Sequence, residues 1–240
     1  MTTTRERLRA ETLEEIKAAA RARLAVDGAN LSLRAVARDV GLVSSAVYRY
    51  FPSRDALLTA LIIDSYNDMG EAVEAAEAAQ PREDLHARFV ALAGAIRDWA
   101  LSSPNEYALI FGSPVPGYAA PQDTLAPAMR VTTVLAGLLA DGLASGALTD
   151  PGDPVDEELA VDLAALTAAP PFVGVPLALM ARGMAAWSAV YGLVSFELFH
   201  AYGPLTAPAA LFEHQVLGIT RQMGLVPPSG RAPRQRARGT

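Results

Sequence analysis

The stretch LSLRAVARDVGLVSSAVYRYFPSRDALL, residues 31–58, contains two short helical patterns with a glycine between them. Apolar residues at positions 33, 36, 37 and 40 have the i, i+3, i+4, i+7 spacing of one helix face, and Ser32 is placed to cap that helix. Gly41 can end it, because glycine adopts left-handed backbone angles without a steric penalty. Two short helices joined by a tight turn that contains glycine form the helix-turn-helix pattern.

The second short helix carries more aromatic and cationic side chains than a buried helix needs. Ser44 is placed to cap it, and Pro52 stops it. If Val47 and Phe51 turn inward, the serines, the two tyrosines and Arg49 are left for a partner. Arginine, tyrosine and the N–H groups at a helix start commonly donate to phosphate. The alternative is a small three-helix packing unit with surface tyrosines, which periodicity alone does not exclude.

The composition predicts an all-α fold. Of the 240 residues 51% are apolar and 19% charged, and alanine and leucine dominate over β-branched residues. The absence of cysteine excludes disulfides, zinc–thiolate sites and cysteine nucleophiles. The N-terminus is polar where a signal peptide needs an apolar segment, and prolines interrupt the longest uncharged run, 163–181. We therefore expect a cytoplasmic protein.

The net charge of −6 is unevenly distributed. Residues 1–54 carry 10 Lys/Arg against 6 Asp/Glu, which is +4, and the remainder carries 10 against 20, which is −10. A basic segment on an acidic body favours two modules, of which the basic one meets a polyanion. The alternative is that these charges only solvate helix faces.

Helical periodicity continues to the end of the acidic body. It predicts helices over about 84–101, 106–111, 125–144, 155–166, 175–202 and 207–224. We expect a helix-turn-helix DNA-binding domain over 1–54 and a larger helical-bundle domain over 55–226. Residues 227–240, with four arginines, are expected to be a disordered basic tail.

The helix-turn-helix segment resembles the DNA-binding domain of the TetR family of transcriptional regulators. The family's Tyr-x-His-Phe element reads Tyr48-Arg49-Tyr50-Phe51 here, and Arg54 stands where the family usually has lysine. Ala46 replaces a frequent threonine, so one DNA contact of the family is missing. The resemblance implies that DNA is contacted by Ser32, Arg34, Ser44, Ser45, Ala46, Tyr48, Arg49, Tyr50 and Arg54.

A second resemblance covers much of the acidic body. YALIFGSPVPGY (107–118) and WSAVYGLVSFEL (187–198) are similar to the family's ligand-binding domain that is named for a Trp-His-Gly motif, with Tyr191 in place of the histidine. The resemblance implies that 55–226 is a domain for ligand binding and dimerisation. It also implies a homodimer through the helices 175–202 and 207–224. The uncharged run 183–196 agrees, since one solvent-facing helix rarely tolerates so much apolar surface. The alternative is the central buried helix of a monomer.

The resemblance also implies a cavity for a small apolar or aromatic effector. Its candidate lining comprises Phe89, Leu92, Ile96, Trp99, Tyr107, Phe111, Met129, Trp187 and Tyr191. Helical bundles hold ligands between their helices, although aromatic residues at helical spacing are more often plain core.

Catalytic and metal-binding signals are weak. Glu197 and His200 have the Glu-x-x-His spacing of di-iron bundles, but the second pair and the further glutamates are missing. No nucleotide-binding or hydrolase motif occurs, so we expect no enzyme and no cofactor. Together with the two resemblances, the sequence predicts a homodimeric repressor that binds a palindromic DNA operator and is released by a small molecule. The alternative is a helical small-molecule-binding or scaffold protein that does not bind DNA.

Overall fold

The described part of the chain, residues 3–27 and 31–227 of a computed structural model, is helical and contains no strand. The all-α prediction is therefore confirmed. The helices are α1 (Thr4–Asp27), α2 (Leu33–Asp39), α3 (Ser44–Val47), α4 (Arg54–Ala78), α5 (Leu85–Ser102), α6 (Pro104–Phe111), α7 (Leu125–Ser145), α8 (Glu157–Thr167), α9 (Leu177–Leu198) and α10 (Pro208–Met223).

These helices form two compact units. The first contains the residues up to Glu71 together with Asp98–Arg130, and the second contains Ala72–Arg97 and the chain from Val131 onward. Helices α4, α5 and α7 contribute to both units. The predicted functional division, 1–54 and 55–226, stays a prediction, and all but the first residue of the predicted tail, 227–240, lies outside the described residues.

The core of the first unit forms around the helix-turn-helix. Helix α1 contributes its inward face, α2 and α3 contribute theirs, and α4 closes the cluster. Val115, from the segment between α6 and α7, is buried in the same cluster. The buried members are Ile16, Ala20, Leu24, Leu31, Leu33, Val36, Ala37, Val47, Phe51, Leu57, Leu58, Leu61 and Val115.

Local sequence signals explain most of the boundaries in this unit. Gly41 has φ +68° after α2, and the N–H of Leu42 donates to the carbonyl of Ala37, which satisfies a carbonyl at the helix end. At the start of α4, the Ser53 hydroxyl accepts from the N–H of Ala56.

Two predicted caps differ. Ser32 flanks α2, but its side chain makes no cap hydrogen bond. Helix α3 already includes Ser44, and the flanking residue is the extended Val43, so the prediction that Ser44 caps this helix is wrong. The reason is that Ser44 has already turned into the helix, whereas a capping side chain must come from the residue before the first turn.

In the second unit, α9 packs against α8 and α10. Helix α9 ends at Leu198 instead of the predicted 202, because His200 adopts left-handed backbone angles with φ +56°. The guanidinium of Arg97 on α5 donates to both carboxylate oxygens of Glu197 on α9, at 2.8 and 2.6 Å. This two-bond pair holds α5 to α9 at the end of the uncharged run.

Two helical stretches, Gln122–Ser145 and Leu177–Leu198, are long and apolar enough by composition to cross a membrane. Core helices of water-soluble proteins meet the same criteria, and 44% of the most apolar window of α9 is buried by the chain itself.

Candidate nucleic-acid interface

Helix α3 divides its residues between the core and the solvent. Val47 is fully buried and Phe51 is 6% exposed, whereas Tyr48 is 44% exposed and Ser45 and Arg49 also face solvent. The helix is one regular turn, followed by a tighter turn in which the N–H groups of residues 49 and 50 donate to the carbonyls of residues 46 and 47. The short helix therefore presents hydroxyl and cationic groups outward from a fixed apolar anchor.

The other predicted DNA-contacting residues border this surface. Ser32 and Arg34, at the start of α2, are exposed, whereas Ser44 and Ala46 are half-buried. Arg54 is the first residue of α4, and its side chain is 31% exposed and lies 3.9 Å from the Asp55 carboxylate.

Tyr50 is placed differently from Tyr48. It is half-buried and packs against the core cluster, and the guanidinium carbon of Arg9 lies 5.6 Å from the centre of its ring. Sequence reasoning missed Arg9, because only the charge count of the first 54 residues pointed to α1.

Several cations of the first unit are neutralised within the protein. Lys17 and Arg21 on α1 both pair with Asp64 on α4, at 3.0 and 2.7 Å. Arg23 donates to both oxygens of Asp39 at the end of α2, and these hydrogen bonds hold the pKa of Asp39 below its ordinary value. These pairs attach α1 to α4 and α2, and they leave other cations of α1 for solvent or a partner.

Four of the predicted ligand-binding residues lie in the first unit. Trp99 and Tyr107 are buried, with ring centres 6.5 Å apart, and the half-buried Phe111 lies 5.1 Å from Tyr107. Met129 is 39% exposed. Tyr66 on α4, which sequence reasoning missed, meets Phe111 edge-on at 6.1 Å, and burial raises its pKa. The structure thus brings three of the predicted aromatic residues together with one more.

The remaining five lie in the second unit. Phe89, Leu92 and Ile96 on α5 are at most 4% exposed and belong to its core. Trp187 and Tyr191 on α9 have ring centres 5.2 Å apart, and Trp187 is 42% exposed.

Helix α9 is apolar on its outer face as well as its inner one. Ala186, Val190 and Val194 are buried, whereas Met184, Trp187 and Phe196 are 43%, 42% and 53% exposed. Trp187 and Phe196 are about two and a half turns apart, so the exposed apolar side chains are spread around the solvent side of α9. Several large exposed apolar side chains on one helix are typical of an interaction surface.

The Glu197–His200 pair offers little to a metal ion. Both oxygens of Glu197 accept from Arg97, and in residues 3–27 and 31–227 no group of three or more His, Asp or Glu side chains is arranged to hold a metal.

Two family models match the chain. The model described as "Bacterial regulatory proteins, tetR family" matches residues 16–61, which include α2 and α3. The model described as "Tetracyclin repressor-like, C-terminal domain" matches residues 89–219, more than half of the chain. The narrower assignment to the Trp-His-Gly type stays a prediction.

The alignments with similar proteins cover most of the length of both chains. HTH-type transcriptional regulator Rv1816 of Mycobacterium tuberculosis is 38% identical over 190 residues, which is 78% of this chain and 81% of that protein. HTH-type transcriptional regulator Mb1846 of Mycobacterium bovis gives the same values.

Solved structures share the fold. The crystal structure of regulatory protein SCO4313 has a TM-score of 0.72 at 34% identity and covers 90% of this chain and 98% of its own. The TetR family transcriptional regulator PfmR of Thermus thermophilus has a TM-score of 0.58 at 18% identity, covering 86% and 97%, and at that identity it supports the fold alone.

Proposed function

Because the chain belongs to the TetR family of transcriptional regulators, we propose that it is a repressor that binds a two-fold symmetric operator as a homodimer and leaves it when a small apolar or aromatic molecule binds. The observation that carries the DNA-binding part is the division of α3, with Val47 and Phe51 in the core and Ser45, Tyr48 and Arg49 facing solvent. We assign no catalytic role to this chain and place it in the cytoplasm, where its DNA is.

Except for the half-buried Tyr50, each predicted DNA-contacting residue has a proposed role that follows from its position. Arg49, Tyr48 and Arg54 donate to phosphates, because cations and phenol hydroxyls beside a recognition helix most often meet the backbone. Ser45, near the start of α3, reaches base edges in the major groove. Ser44 and Ala46, the neighbours of Ser45, lie beside it at the same groove. Ser32 and Arg34, at the start of α2, contact the flanking backbone, as the first helix of such a motif crosses it.

The proposed dimer interface consists of α9 and α10. Helix α9 exposes Met184, Trp187 and Phe196, and Leu217 on α10 is 41% exposed. A second copy of this chain can bury these side chains, because a two-fold interface pairs the same surface of both subunits. The dimer then carries two copies of α3, which must lie one helical turn of DNA apart, roughly 34–36 Å, to read both half-sites.

For the effector we propose an apolar or aromatic molecule. In the first unit, the contacts among Tyr66, Trp99, Tyr107 and Phe111 form an aromatic cluster. In the second unit, Phe89, Leu92 and Ile96 are buried apolar side chains of α5. Met129, Trp187 and Tyr191 complete the predicted lining. Release from DNA requires that the effector bind the two conformations of the dimer with different affinities.

Selection from random duplex DNA tests this function. The purified full chain should enrich a near-palindrome with half-site centres one helical turn, or a multiple of it, apart. Enrichment of a single asymmetric half-site would rule out the dimeric reading, and no enrichment would rule out specific DNA binding. The absence of enrichment would favour the alternative, a helical small-molecule-binding or scaffold protein.

The variant Ser45→Ala sharpens the selection experiment. If Ser45 reads a base, this variant should enrich a different sequence while binding a similar amount of DNA. An unchanged sequence would place the readout at Tyr48 or in the shape of the DNA.

Effector release has its own test. A fluorescently labelled operator bound to the protein is titrated with a panel of planar aromatic compounds, and anisotropy reports release. A compound that raises the unfolding temperature and lowers the anisotropy supports a ligand-released repressor. A compound that binds and strengthens the DNA complex would make the protein a co-repressed regulator instead.

A further inference from the structure

The cations of α1 fall into two groups. Lys17, Arg21 and Arg23, in its second half, each pair with a carboxylate of α2 or α4. Arg5, Arg7 and Arg9, in its first half, are exposed, and within the described part of the chain none of the three forms an ion pair. The uncompensated positive charge of α1 is therefore concentrated at its beginning.

The beginning of α1 is a well-defined helix. The N–H of Thr3 donates to the Glu6 carboxylate at 2.7 Å, and the N–H of Glu6 donates to the Thr3 hydroxyl at 3.2 Å. This reciprocal capping box satisfies two N–H groups of the first turn. The cap therefore engages Glu6, the acidic residue beside Arg5 and Arg7.

Arg9 contacts the turn that follows α3, the recognition helix of the motif. Its guanidinium carbon lies 5.6 Å from the ring centre of Tyr50, which also packs against the core cluster. A guanidinium that stacks on a ring keeps its N–H groups available at its edge. Arg5 lies four residues earlier, so it shares a helix face with Arg9 and extends the cationic row away from Tyr50.

We propose that Arg9 and Arg5 form a second phosphate-binding row on α1, next to the recognition helix, and that Tyr50 is the positioning residue of Arg9. The partner is the DNA backbone, because phosphate combines negative charge with the oxygen geometry that a guanidinium edge matches. A histidine at position 50 would offer a smaller ring, and its protonated form would repel Arg9. The inference rests on the proposed DNA-binding function, since the row lies beside the side chains assigned to it.

The first experiment measures affinity for the selected operator duplex over a range of salt concentrations. Arg9→Ala should lower the slope of log affinity against log salt by about 1.8, because the dimer loses two phosphate contacts worth about 0.9 each. Each lost contact should weaken binding about fivefold to tenfold in low salt. Mixed-sequence duplex should show the same loss, because a backbone contact carries no base information. Arg9→Lys should keep the slope. Arg82→Ala, at a 70% exposed arginine in the other compact unit and outside α9 and α10, is the matched control and should bind as the wild type does.

The second experiment tests the positioning role of Tyr50. Tyr50→Leu should lose the same part of the salt slope as Arg9→Ala, and the double variant should lose no more than either single one. Tyr50→Phe, which keeps the ring face, should have the salt slope of the wild type. Circular dichroism shows whether Tyr50→Leu is folded. If it is not, the comparison of Arg9→Ala with Arg9→Lys and Tyr50→Phe decides.

The inference fails if Arg9→Ala and Arg82→Ala have the same slope and affinity while the wild type binds its operator tightly. The proposed function fails differently, namely if the wild type binds no selected duplex.

Discussion

Arg88 is a fully buried cation in the second unit, with a side chain that is 2% exposed. It forms ion pairs with Glu77 at the end of α4 and with Asp141 on α7, and it donates to the carbonyl of Arg82. A buried charge is tolerated only when it is paired and its donors are satisfied. Arg88 therefore ties three helices together through one side chain.

Arg88→Met should lower the free energy of unfolding by about 3–5 kcal/mol, because it leaves the Glu77 carboxylate without its buried partner. Chemical denaturation followed by circular dichroism measures this. Arg82→Met is the matched control, since Arg82 pairs with the same Asp141 at 2.7 Å but its side chain is 70% exposed. It should change stability by about 0.5 kcal/mol or less, and equal losses in the two variants would show that burial does not govern these pairs.

Arg54→Ala should weaken binding to all DNA sequences alike. Arg54 begins α4 a few residues after α3, where a partly exposed cation most often meets phosphate. The slope of log affinity against log salt should flatten by about one unit for each protomer of the dimer. Loss of preference at one base position with an unchanged slope would instead make Arg54 a base reader.

At the scale of the element, α4 approaches α7 so closely that its sequence must adapt. The Arg130 guanidinium donates to the carbonyl and the side-chain oxygen of Asn67, at 2.9 and 3.1 Å. A Cβ added at the buried Gly70 would lie 2.9 Å from the Cβ of Arg130. Glycine at position 70 thus permits this contact at a cost in helix propensity.

Gly70→Ala should destabilise the protein although alanine is the better helix former. Arg130 must shift, and its hydrogen bonds to Asn67 weaken, which we expect to cost about 1–3 kcal/mol. Gly94→Ala, in the middle of α5 with no neighbour within 4 Å of the added Cβ, should stabilise by about 0.5–1 kcal/mol. Thermal unfolding of the two variants decides, and a stabilising Gly70→Ala would contradict the close contact.

The end of α9 carries a second local cost. His200 has φ +56°, and the N–H of Ala201 donates to the carbonyl of Phe196 at 2.8 Å. In such a helix end the left-handed residue is usually glycine. His200→Gly should raise the free energy of unfolding by about 1 kcal/mol, since a left-handed side-chain residue costs about that much. Gly224→Ala, at φ +78° after α10, should lower it by a similar amount. The same sign for the two variants would refute this account.

At the scale of the whole molecule, a segment distant in sequence completes the helix-turn-helix. Val115 is buried in its core, Leu109 packs against that core, and the Tyr118 hydroxyl lies 2.9 Å from the Thr59 hydroxyl of α4. The segment between α5 and α7 thus stabilises the DNA-binding helices directly. A change in its position would alter the support of α4, and this offers a physical connection for the proposed ligand response.

Dimerisation should depend on the exposed face of α9. Trp187→Glu would place an unpaired charge twice in a two-fold interface, so sedimentation should show a monomer where the wild type is a dimer. Operator affinity should fall by about a hundredfold, because two linked half-sites act through effective concentration. Leu125→Glu, at a 59% exposed leucine of α7, is the control. A dimeric Trp187→Glu with normal affinity would place the interface on another helix. Val194 is unsuitable for this test, since it is 1% exposed and a charge there would disrupt the chain's own core.

The sequence by itself determined the helix-turn-helix and the all-α class. Gly41, Pro52 and Ser53 act on residues within one turn, and the periodicity of apolar residues selects the inner face of each helix, so these features can be predicted from neighbours in the chain. The inward Val47 and Phe51 were predicted on that basis and are buried.

Only the tertiary structure decided which distant residues meet. Val115 lies in a segment rich in proline and glycine and has no periodic pattern around it, yet it fills the core of the first unit. Arg9 and Tyr50 are forty-one positions apart, and the close contact at Gly70 depends on Arg130. Such contacts follow from the shapes and directions of packed helices, which a local pattern does not encode. For the same reason the sequence named Tyr107 and Phe111 but missed Tyr66, which joins them only in the folded chain.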